Sequence, residues 1–372
     1  MIAPEQPTNP RPSGGHLRIL VLGDSYCPAS ALGPAFTDLA RHHTVDLWDV
    51  TDEPTWQPTT PSELRLREYL GTPRQVISRL AGHDVLVVQG APVSDKVLDA
   101  SPTLRLVCCA RGGPVNVDVQ AATQRGIPVV TTPGKNAAAV AELTIAFALM
   151  LIRGVPRASR YVIDGGVLAE SAFEGREFFG QEAHGITLGL VGLGHVGRQV
   201  ASRATVLGFT VIAHDPITPA VVPDGVSLVS FDSLIAESDI VSLHARATAE
   251  NRHFFGAKEF ARMKPGARFI NTARESLVDE AELADALRRG HLAGAALDVV
   301  DRPSDGARHP LLELPSVLIT PHIGGATEET LLRGARQAAD AIADTLAGRR
   351  PAAVANPEVF DRETGAISEG RP

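Results

Sequence analysis

A glycine-rich turn at residues 192–197 constrains the fold of this chain more than any other feature. The turn, Gly192-Leu-Gly-His-Val-Gly197, follows a short apolar run and opens a segment with a helical pattern. Asp215 lies 18 residues beyond Gly197, at the end of a second apolar run, 209–215. A strand, a turn with three glycines, a helix and a second strand ending in an acid are the parts of a dinucleotide-binding unit. The pattern therefore predicts a doubly wound α/β domain with a nucleotide site.

Each glycine has its own part in such a site. Gly192 allows a tight turn, Gly194 lets the backbone approach a pyrophosphate, and Gly197 lets the helix pack closely on the strand. His195 and Val196 begin the helix, and we expect their backbone to face the phosphates, because the N-terminus of a helix attracts anions.

Two further strand ends complete the predicted cofactor site. Asp215 would accept hydrogen bonds from the ribose hydroxyls, and its carboxylate would repel the 2′-phosphate of NADP, so NAD is the expected cofactor. His244 and Ala245 follow the apolar run 239–243 and are expected beside the adenosine half of that cofactor.

The length of the chain and its alternating pattern predict two domains. At 372 residues the chain exceeds what one core usually serves. Short apolar runs alternate with helical patterns in both halves, which is typical of parallel sheets covered on both faces. Strands are expected at 17–22, 45–48, 85–88, 104–109, 128–130, 186–191, 209–213, 239–243, 267–271, 293–298 and 316–320. Helices or turns are expected at 31–42, 61–80, 94–100 and 117–125, and helices at 136–153, 195–207, 230–237, 256–262, 279–290 and 327–347. A loop with a short helix is expected within 154–184.

Composition argues against several classes of protein. The net charge is −8 and Lys and Arg form no block, so no nucleic-acid partner is expected. No apolar run is long enough to span a membrane and the N-terminus lacks a signal pattern, so the expected location is the cytoplasm. The three cysteines imply no disulfide framework, and no Cys or His cluster has metal-ligand spacing, so no metal is expected.

Three strand ends in the second half carry side chains suited to catalysis. Arg274 follows one strand and can grip a carboxylate with two parallel hydrogen bonds. His322 follows another and suits proton transfer at neutral pH. Asp298 ends the predicted strand 293–298, which lies between these two strands in the sequence. Arg274 and His322 each have a simpler explanation as well. Arg274 would pair with a nearby acid such as Glu275, and His322 would serve as a capping residue.

At this point the sequence resembles the D-2-hydroxyacid dehydrogenase family. Four blocks carry the resemblance: Gly192-Leu-Gly-His-Val-Gly197, Met263-Lys-Pro-Gly-Ala-Arg-Phe-Ile-Asn-Thr-Ala-Arg274, Ala295-Ala-Leu-Asp298 and Leu318-Ile-Thr-Pro-His-Ile-Gly-Gly325. Weaker similarity extends it over most of residues 100–350.

The resemblance implies a Rossmann nucleotide domain inserted into a flavodoxin-like substrate domain. The substrate domain would hold residues 16–135 and 327–360, and the NAD-binding domain would hold 136–326. Composition, not the resemblance, predicts the tails: residues 1–15 are rich in Pro, Asn and Gly and are expected to be disordered, and 361–372 are expected to be flexible. Family members are commonly dimers built on the nucleotide domain, so a homodimer is expected.

The resemblance also implies roles for single residues. Arg274 would bind the substrate carboxylate, His322 would be the general acid and base, and Asp298 would contact the nicotinamide carboxamide. Thr272 and Ala273 would line the nicotinamide through their backbone. Gly324 and Gly325, which follow His322, are also expected to contact the cofactor.

The chain departs from the family pattern at one central position. The family places a Glu where it hydrogen-bonds the catalytic His, and an ungapped alignment puts Pro303 there. Asp301 or Asp305 would have to replace that carboxylate. Without one, the chain would be a slower dehydrogenase, one with an unusual substrate, or a protein that binds NAD without turnover.

The substrate loop departs as well. The family has a Gly-rich turn whose amides hold the acid group, and here the run contains Arg111, Gly112 and Gly113. Lys135 adds a second cation at the start of the connecting helix. Two cations near an amide nest suit a doubly charged anion such as a phosphate or phosphonate. The alternative is that Arg111 pairs with Asp118 or Glu142.

The sequence therefore predicts an NAD-dependent oxidoreductase that transfers a hydride at C2 of a small anionic 2-hydroxy or 2-oxo acid, with a phosphorylated acid left open. Two alternatives stay open. One is a dehydrogenase of a non-carboxylate anion such as a hydroxyalkylphosphonate. The other is a catalytically weak NAD-binding regulatory protein of the corepressor type, which the missing Glu would favour.

Overall fold

A computed structural model of the chain describes residues 15–166, 178–217, 221–301 and 308–360. The chain divides into two compact units. The first unit holds the described residues up to Lys135 and from Thr327 onwards, and the second unit is Asn136–Ala326.

The described residues form two parallel sheets and the helices that cover them. The strands are β1 Arg18–Gly23, β2 Thr44–Asp49, β3 Val85–Val88, β4 Leu106–Cys109, β5 Val129–Thr131, β6 Thr187–Val191, β7 Thr210–His214, β8 Val226–Leu228, β9 Ile240–Leu243, β10 Ala267–Asn271, β11 Leu292–Leu297 and β12 Val317–Ile319. The α-helices are α1 Ala29–Leu32, α2 Pro73–Leu80, α3 Asp95–Asp99, α4 Val119–Gln124, α5 Ala137–Ile152, α6 Val155–Ile163, α7 His195–Val206, α8 Phe231–Glu237, α9 Ala257–Arg262, α10 Glu280–Arg288 and α11 Glu328–Leu346. Short 3₁₀ helices lie at Gly33–Phe36, Leu39–Arg41, Glu63–Arg65, Glu275–Leu277 and Pro310–Glu313.

The first unit contains a five-stranded sheet in the order β2-β1-β3-β4-β5, with every pair parallel. This is the flavodoxin-like order, whose switch point lies between the first and third strands. β3 and β4 are buried along their whole length, as continuous apolar runs in a doubly covered sheet should be. Helix α11 returns to this unit and packs Ala335, Ala338 and Ile342 against one face of the sheet.

The second unit contains a seven-stranded parallel sheet in the order β12-β11-β10-β9-β6-β7-β8. Six of these strands follow the order of a doubly wound dinucleotide-binding sheet, and β12 adds a seventh. The switch point lies between β6 and β9, which pair directly. The prediction of two doubly wound parallel sheets is therefore confirmed, with a flavodoxin-like and a Rossmann strand order.

The structure adds local detail to three parts of this prediction. Where a helix or turns were expected over 61–80, it has a 3₁₀ turn and α2, because Pro73 occupies the first turn of α2 and Thr72 caps it by accepting the Gln75 amide. Where a helix or turns were expected over 31–42, it has short helical pieces around Gly33-Pro34. Strand β8 was not predicted, since its three residues are at most half-buried and lie at a sheet edge.

Some predictions fall where the structure is not described. The disorder predicted for residues 1–15 lies, apart from Gly15, outside the described residues, and so does the flexible tail 361–372. Within 154–184, where a short helix was predicted, α6 is present, and residues 167–177 are outside the description. In the four described ranges no single helix is long and apolar enough to cross a membrane. Within these ranges, α5 and α6 have the required length and composition only when taken together, and the two helices are bent by 70°.

Candidate active site

The glycine turn of the second unit leaves open space in front of a helix. Gly192 has φ +100°, and a Cβ there would come within 2.8 Å of the His244 carbonyl carbon. A Cβ on Gly197 would overlap the Gly192 carbonyl oxygen. A Cβ on Gly194, by contrast, would meet nothing within 4 Å. Two glycines are therefore required by the protein itself, while the third keeps an exposed cradle free at the N-terminus of α7, which fits a bound pyrophosphate.

The acid after β7 lies against this turn. Asp215 Oδ2 accepts a hydrogen bond from the Leu193 amide at 2.7 Å, and Oδ1 accepts one from the Ile217 amide at 3.0 Å. These bonds fix the carboxylate beside the glycine turn, at the carboxyl end of the neighbouring strand. Each oxygen keeps a lone pair for a ribose hydroxyl.

The other residues predicted to bind the cofactor near β6 lie around the glycine turn 192–197. His195 is exposed and Val196 half-buried in the first turn of α7. His244 follows β9 and its Nε2 lies 2.9 Å from the Ser242 hydroxyl. Burial lowers the pKa of His244 to about 4, so its ring is neutral at pH 7. His244 and Ala245 therefore pack against Gly192 and bring no charge to it.

A side-chain amide fixes the backbone that carries Arg274. Asn271, at the end of β10, accepts the Ala273 amide with Oδ1 at 3.0 Å and donates from Nδ2 to the Arg274 carbonyl at 2.9 Å. Thr272 is buried and its hydroxyl lies 3.0 Å from the Thr144 hydroxyl. The Arg274 guanidinium is at the exposed end of this loop and donates to the Ala273 carbonyl at 2.7 Å.

Asp298 holds the loop that carries His322. Its Oδ1 accepts from the Thr320 hydroxyl at 2.6 Å and from the Ile323 amide at 2.8 Å, and its Oδ2 accepts from the Gly324 amide at 2.8 Å. The His322 amide donates to the Asp298 carbonyl at 2.9 Å. Asp298 is buried, so these bonds are shielded from water.

This arrangement exposes the His322 ring in an uncommon backbone conformation. His322 has φ +58°, a region that non-glycine residues rarely adopt and that clusters at functional sites. Gly324 is needed beside it, because a Cβ there would come within 2.8 Å of Asp298 Oδ2. A Cβ on Gly325 would come within 3.1 Å of the side-chain nitrogen Nδ2 of Asn136.

Two acids, Asp301 and Asp305, could replace the Glu that the family places beside the catalytic His, and only Asp301 lies in the described residues. Pro303 and Asp305 are both in the undescribed range 302–307. Asp301 is described, and its backbone amide donates to Glu280 Oε1 at 3.0 Å. Within the part of the chain that the structure describes, no carboxylate hydrogen-bonds the His322 ring.

The predicted substrate residues lie at the carboxyl edge of the first unit's sheet. Arg111 is not paired with either acid considered from the sequence, because Asp118 pairs with Arg65 and Glu142 with Arg203. Its guanidinium pairs instead with Glu68. Gly112 and Gly113 stand clear of other atoms, since a Cβ on either would meet nothing closer than 3.9 Å.

Lys135 is buried and reaches the end of a neighbouring strand. Its Nζ donates to Gln89 Oε1 at 3.1 Å, and burial lowers the pKa of its ammonium group. Gln89 directly follows β3, next to the switch point, where the Gly90 amide donates to Asp24 at 2.9 Å.

Two residues at this edge were not predicted from the sequence. Gln89 is a polar residue directly after a buried strand, as Asp298 is after β11, so the same rule applied to the first unit would have found it. Glu68 carries no such signal, because it lies in an irregular segment whose Arg67 and Leu70 amides bond to the loops after β4 and β3. In the described ranges no group of three or more His, Cys, Asp or Glu side chains has the arrangement of a metal site.

Comparison with known proteins agrees with this geometry. The profile of the D-isomer specific 2-hydroxyacid dehydrogenase NAD-binding domain matches residues 145–324. A hydroxypyruvate reductase of Thermotoga maritima is 39% identical over 254 residues, which cover 67% of this chain and 80% of that protein. The D-3-phosphoglycerate dehydrogenase of Archaeoglobus fulgidus is 38% identical over 261 residues, which cover 69% of this chain and 48% of that protein.

The chain thus spans about half the length of the phosphoglycerate dehydrogenases that it matches. Among solved structures, the TT0316 protein of Thermus thermophilus is 33% identical with a TM-score of 0.71, covering 91% of this chain and 100% of that chain. Residues 145–324 of the second unit match the family's NAD-binding domain, and this chain belongs to the D-isomer specific 2-hydroxyacid dehydrogenase family.

Proposed function

We propose that the protein is an NAD-dependent oxidoreductase that interconverts a small 2-hydroxy acid and the corresponding 2-oxo acid. The observation that carries the proposal is the placement of three side chains at the ends of neighbouring strands. Arg274 follows β10, Asp298 follows β11 and His322 follows β12, at the same sheet edge as the glycine turn. The match to the family's NAD-binding domain supports the cofactor.

Each of these residues has a separate task in the proposed reaction. The exposed Arg274 guanidinium binds the substrate carboxylate with two parallel hydrogen bonds and so orients C2. His322 takes the proton of the 2-hydroxyl group in oxidation and returns it to the 2-oxo oxygen in reduction. Asp298 keeps His322 in place through the loop 320–324. Bound NAD would accept the hydride from C2 in oxidation and, as NADH, supply it in reduction.

The remaining predicted contacts are part of the proposal. Asp215 would hold the adenosine ribose, and the amides at the start of α7 would hold the pyrophosphate. Asp298, Thr272 and Ala273 would lie along the nicotinamide, together with Gly324 and Gly325. In the first unit, Arg111, Gly112, Gly113 and Lys135 would form the substrate-binding set.

The proposal extends to assembly and location. A homodimer is proposed through the second unit, where Tyr161, Val162 and Ile163 of α6 and the nearby Phe179 are exposed apolar side chains. A cytoplasmic location is proposed because the three cysteines are buried free thiols, which suits a reducing compartment.

Steady-state kinetics with a panel of 2-oxo acids, followed by NADH absorbance, test the proposed reaction. His322→Asn keeps a residue that tolerates the left-handed backbone and should lower kcat by roughly a hundredfold or more, while NADH binding stays near wild type. Arg274→Gln should raise KM and lower kcat/KM by a similar factor, because it removes the charged fork. Wild-type rates in either variant, or no turnover of any 2-oxo acid by the wild type, would contradict the proposal.

A further inference from the structure

The first turn of α10 is fixed to the loop that carries Arg274. Asp279 caps the helix by accepting the Glu282 amide at 3.3 Å, and its own amide donates to the Phe255 carbonyl at 3.0 Å. Earlier in the same loop, the Leu277 amide donates to the Arg274 carbonyl at 3.3 Å across a 3₁₀ turn. The first residue of the helix therefore has a fixed place relative to this loop.

Glu280, the first residue of α10, holds the two ends of the connection between β11 and β12. Its Oε1 accepts the Asp301 amide at 3.0 Å, and its Oε2 lies 2.7 Å from His309 Nε2. The side chains of Glu280 and His309 are 10% and 12% exposed, so water competes little for their hydrogen bond. One carboxylate thus ties the residue that follows β11 to the residue that approaches β12.

The hydrogen bonds of this pair fit one arrangement of protons. The Leu311 amide donates to His309 Nδ1 at 3.2 Å, so Nδ1 carries no proton and the ring proton is assigned to Nε2. Nε2 then donates to Glu280 Oε2, while Oε1 accepts the Asp301 amide. Both oxygens act as acceptors, which fits an ionised Glu280 beside a neutral imidazole. Burial raises the pKa of Glu280, and the bonds from Asp301 and His309 oppose that rise.

The bond to Asp301 supports the loop of His322 through Asp298. Asp301 closely follows Asp298 at the end of β11, and the Asp298 amide donates to the Asn271 carbonyl at 2.9 Å. The Asp298 carboxylate in turn holds residues 320–324 by hydrogen bonds to the Thr320 hydroxyl and two amides. A shift of this backbone would therefore move the His322 ring relative to β10.

The His309 side chain supports the same loop through β12. His309 caps the 3₁₀ helix Pro310–Glu313 by accepting the Leu311 amide, and Leu311 is fully buried in the core. The Val317 amide, at the start of β12, donates to the Leu314 carbonyl at 3.1 Å. The position of β12, and of the loop that follows it, therefore depends on this cap.

We infer that Glu280 and His309 form a positioning pair that holds the strand-end loops of the second unit in the geometry that proton and hydride transfer need. The inference rests on the proposed function. The pair acts through the backbone around Asp298 and through β12, not by contact with substrate. Small displacements of a reacting group cost rate, so kcat should depend on the pair more than cofactor affinity does.

The test measures kcat in variants that break the pair from either side. Glu280→Gln keeps the size of the side chain and an acceptor for the Asp301 amide, but it turns an amide N–H group toward the Nε2 proton of His309. His309→Asn keeps a capping acceptor and removes the donor to Glu280. Each variant should lower kcat for the best 2-oxo acid of the panel by roughly fivefold or more. The Kd of NADH should stay within about twofold of wild type, because the glycine turn is untouched. The double variant should lose no more than the larger single loss, since the two side chains act as one unit.

Amide hydrogen exchange reports the state of the loop without any turnover. In each single variant the amides of Ile323 and Gly324, which bond to the Asp298 carboxylate, should exchange roughly fivefold faster or more, while the amides of α7 keep their wild-type rates. Glu282→Gln is the matched control, because it removes the same charge from the same turn of α10, and its side chain has no hydrogen-bond partner in the described ranges. Its kcat and exchange rates should stay within about twofold of wild type.

The outcomes separate the pair from the proposed reaction. Unchanged kcat or unchanged exchange in Glu280→Gln overturns the positioning role and leaves the proposed reaction standing, and His309→Asn decides in the same way if the Gln variant folds poorly. Equal losses in Glu282→Gln overturn the role too, because the effect would then be one of charge at the helix start. Equally faster exchange in α7 overturns it as well, since the whole unit would then be less stable. A wild type that reduces no 2-oxo acid overturns the proposed function, and the exchange rates of Ile323 and Gly324 alone then decide whether the pair holds the loop.

Discussion

The three glycines of the turn 192–197 are chemically identical but have different roles. Their surroundings in the structure determine which role each one has. Gly192 and Gly197 are glycines because the protein has no room for a side chain, whereas Gly194 has open space around its α-carbon. The sequence motif predicts all three equally. Only the packing of the His244 and Gly192 backbones tells which glycines serve the fold and which one serves a ligand.

Exchanging two of these glycines for alanine should separate stability from binding. In Gly197→Ala the new methyl group overlaps the Gly192 carbonyl, so the variant should lose about 1–3 kcal/mol of unfolding free energy. In Gly194→Ala the loss should be less than about 1 kcal/mol, because the methyl group meets no protein atom. Its NAD affinity should nevertheless fall at least tenfold, since the methyl group fills the space in front of α7. Thermal unfolding and NAD titration measure both, and NAD binding as tight as wild type in Gly194→Ala would place the pyrophosphate elsewhere.

The position of Asp298 could be predicted from the sequence, but its hydrogen-bond partners could not. Its place directly after an apolar strand predicts a carboxylate at the sheet edge, and Asp298 follows β11 there. The sequence did not reveal that its oxygens hold the Thr320 hydroxyl and two loop amides. Such bonds depend on how the next loop folds back, which no spacing rule contains. Its predicted contact with the nicotinamide carboxamide stays a prediction.

Elements of secondary structure were predictable where burial is continuous. Parallel strands covered on both faces are short apolar runs, so eleven of the twelve strands in the described residues match predicted runs. The exposed edge strand β8 lacks that pattern. The same limit applies to the C-terminal segment 351–360, which has no apolar run but adds to the first sheet. There the Thr131 amide donates to the Ala353 carbonyl, and the Ala355 amide donates to the Val129 carbonyl.

The buried side chain of Asn356 anchors the C-terminal segment by hydrogen bonds. Its Oδ1 accepts the Val129 amide at 2.8 Å, and its Nδ2 donates to the Ile127 carbonyl at 2.9 Å and the Thr123 hydroxyl at 3.1 Å. Asn356→Ala should lower the unfolding free energy by about 2–3 kcal/mol, because buried partners lose their hydrogen bonds. Hydrogen exchange of the Val129 amide should accelerate as well. Glu358→Gln, an exposed change on the same segment, is the control, and equal stability of the two variants would show that Asn356 is not an anchor.

At the scale of the whole molecule, the two sheets repeat one principle. Each has a strand-order switch point with polar residues at the carboxyl ends, Asp24 and Gln89 in the first unit and the glycine turn with His244 in the second. The sequence predicts the second of these because glycines and an acid have fixed spacing there. The first unit has no such motif, and the ion pair of Arg111 with Glu68 depends on an irregular segment that no spacing rule predicts. The family and the cofactor were therefore predictable, and the pairing of Arg111 with Glu68 was not.

The stability of the whole protein should depend on pH through the partly buried His244. Its pKa is about 4 in the folded protein and about 6.5 in an unfolded chain, so between these values the unfolded state binds a proton that the folded state does not. The contribution of His244 is therefore complete above pH 6.5 and is lost as the pH falls through 4, by about 2–3 kcal/mol. His244→Gln should remove this part of the acid dependence, so its stability should fall less than that of the wild type between pH 7 and pH 4. His184→Gln, at an exposed position, should follow the wild type. Urea unfolding at a series of pH values measures the difference, and an identical slope in His244→Gln and wild type would mean that the ring is protonated in the folded protein.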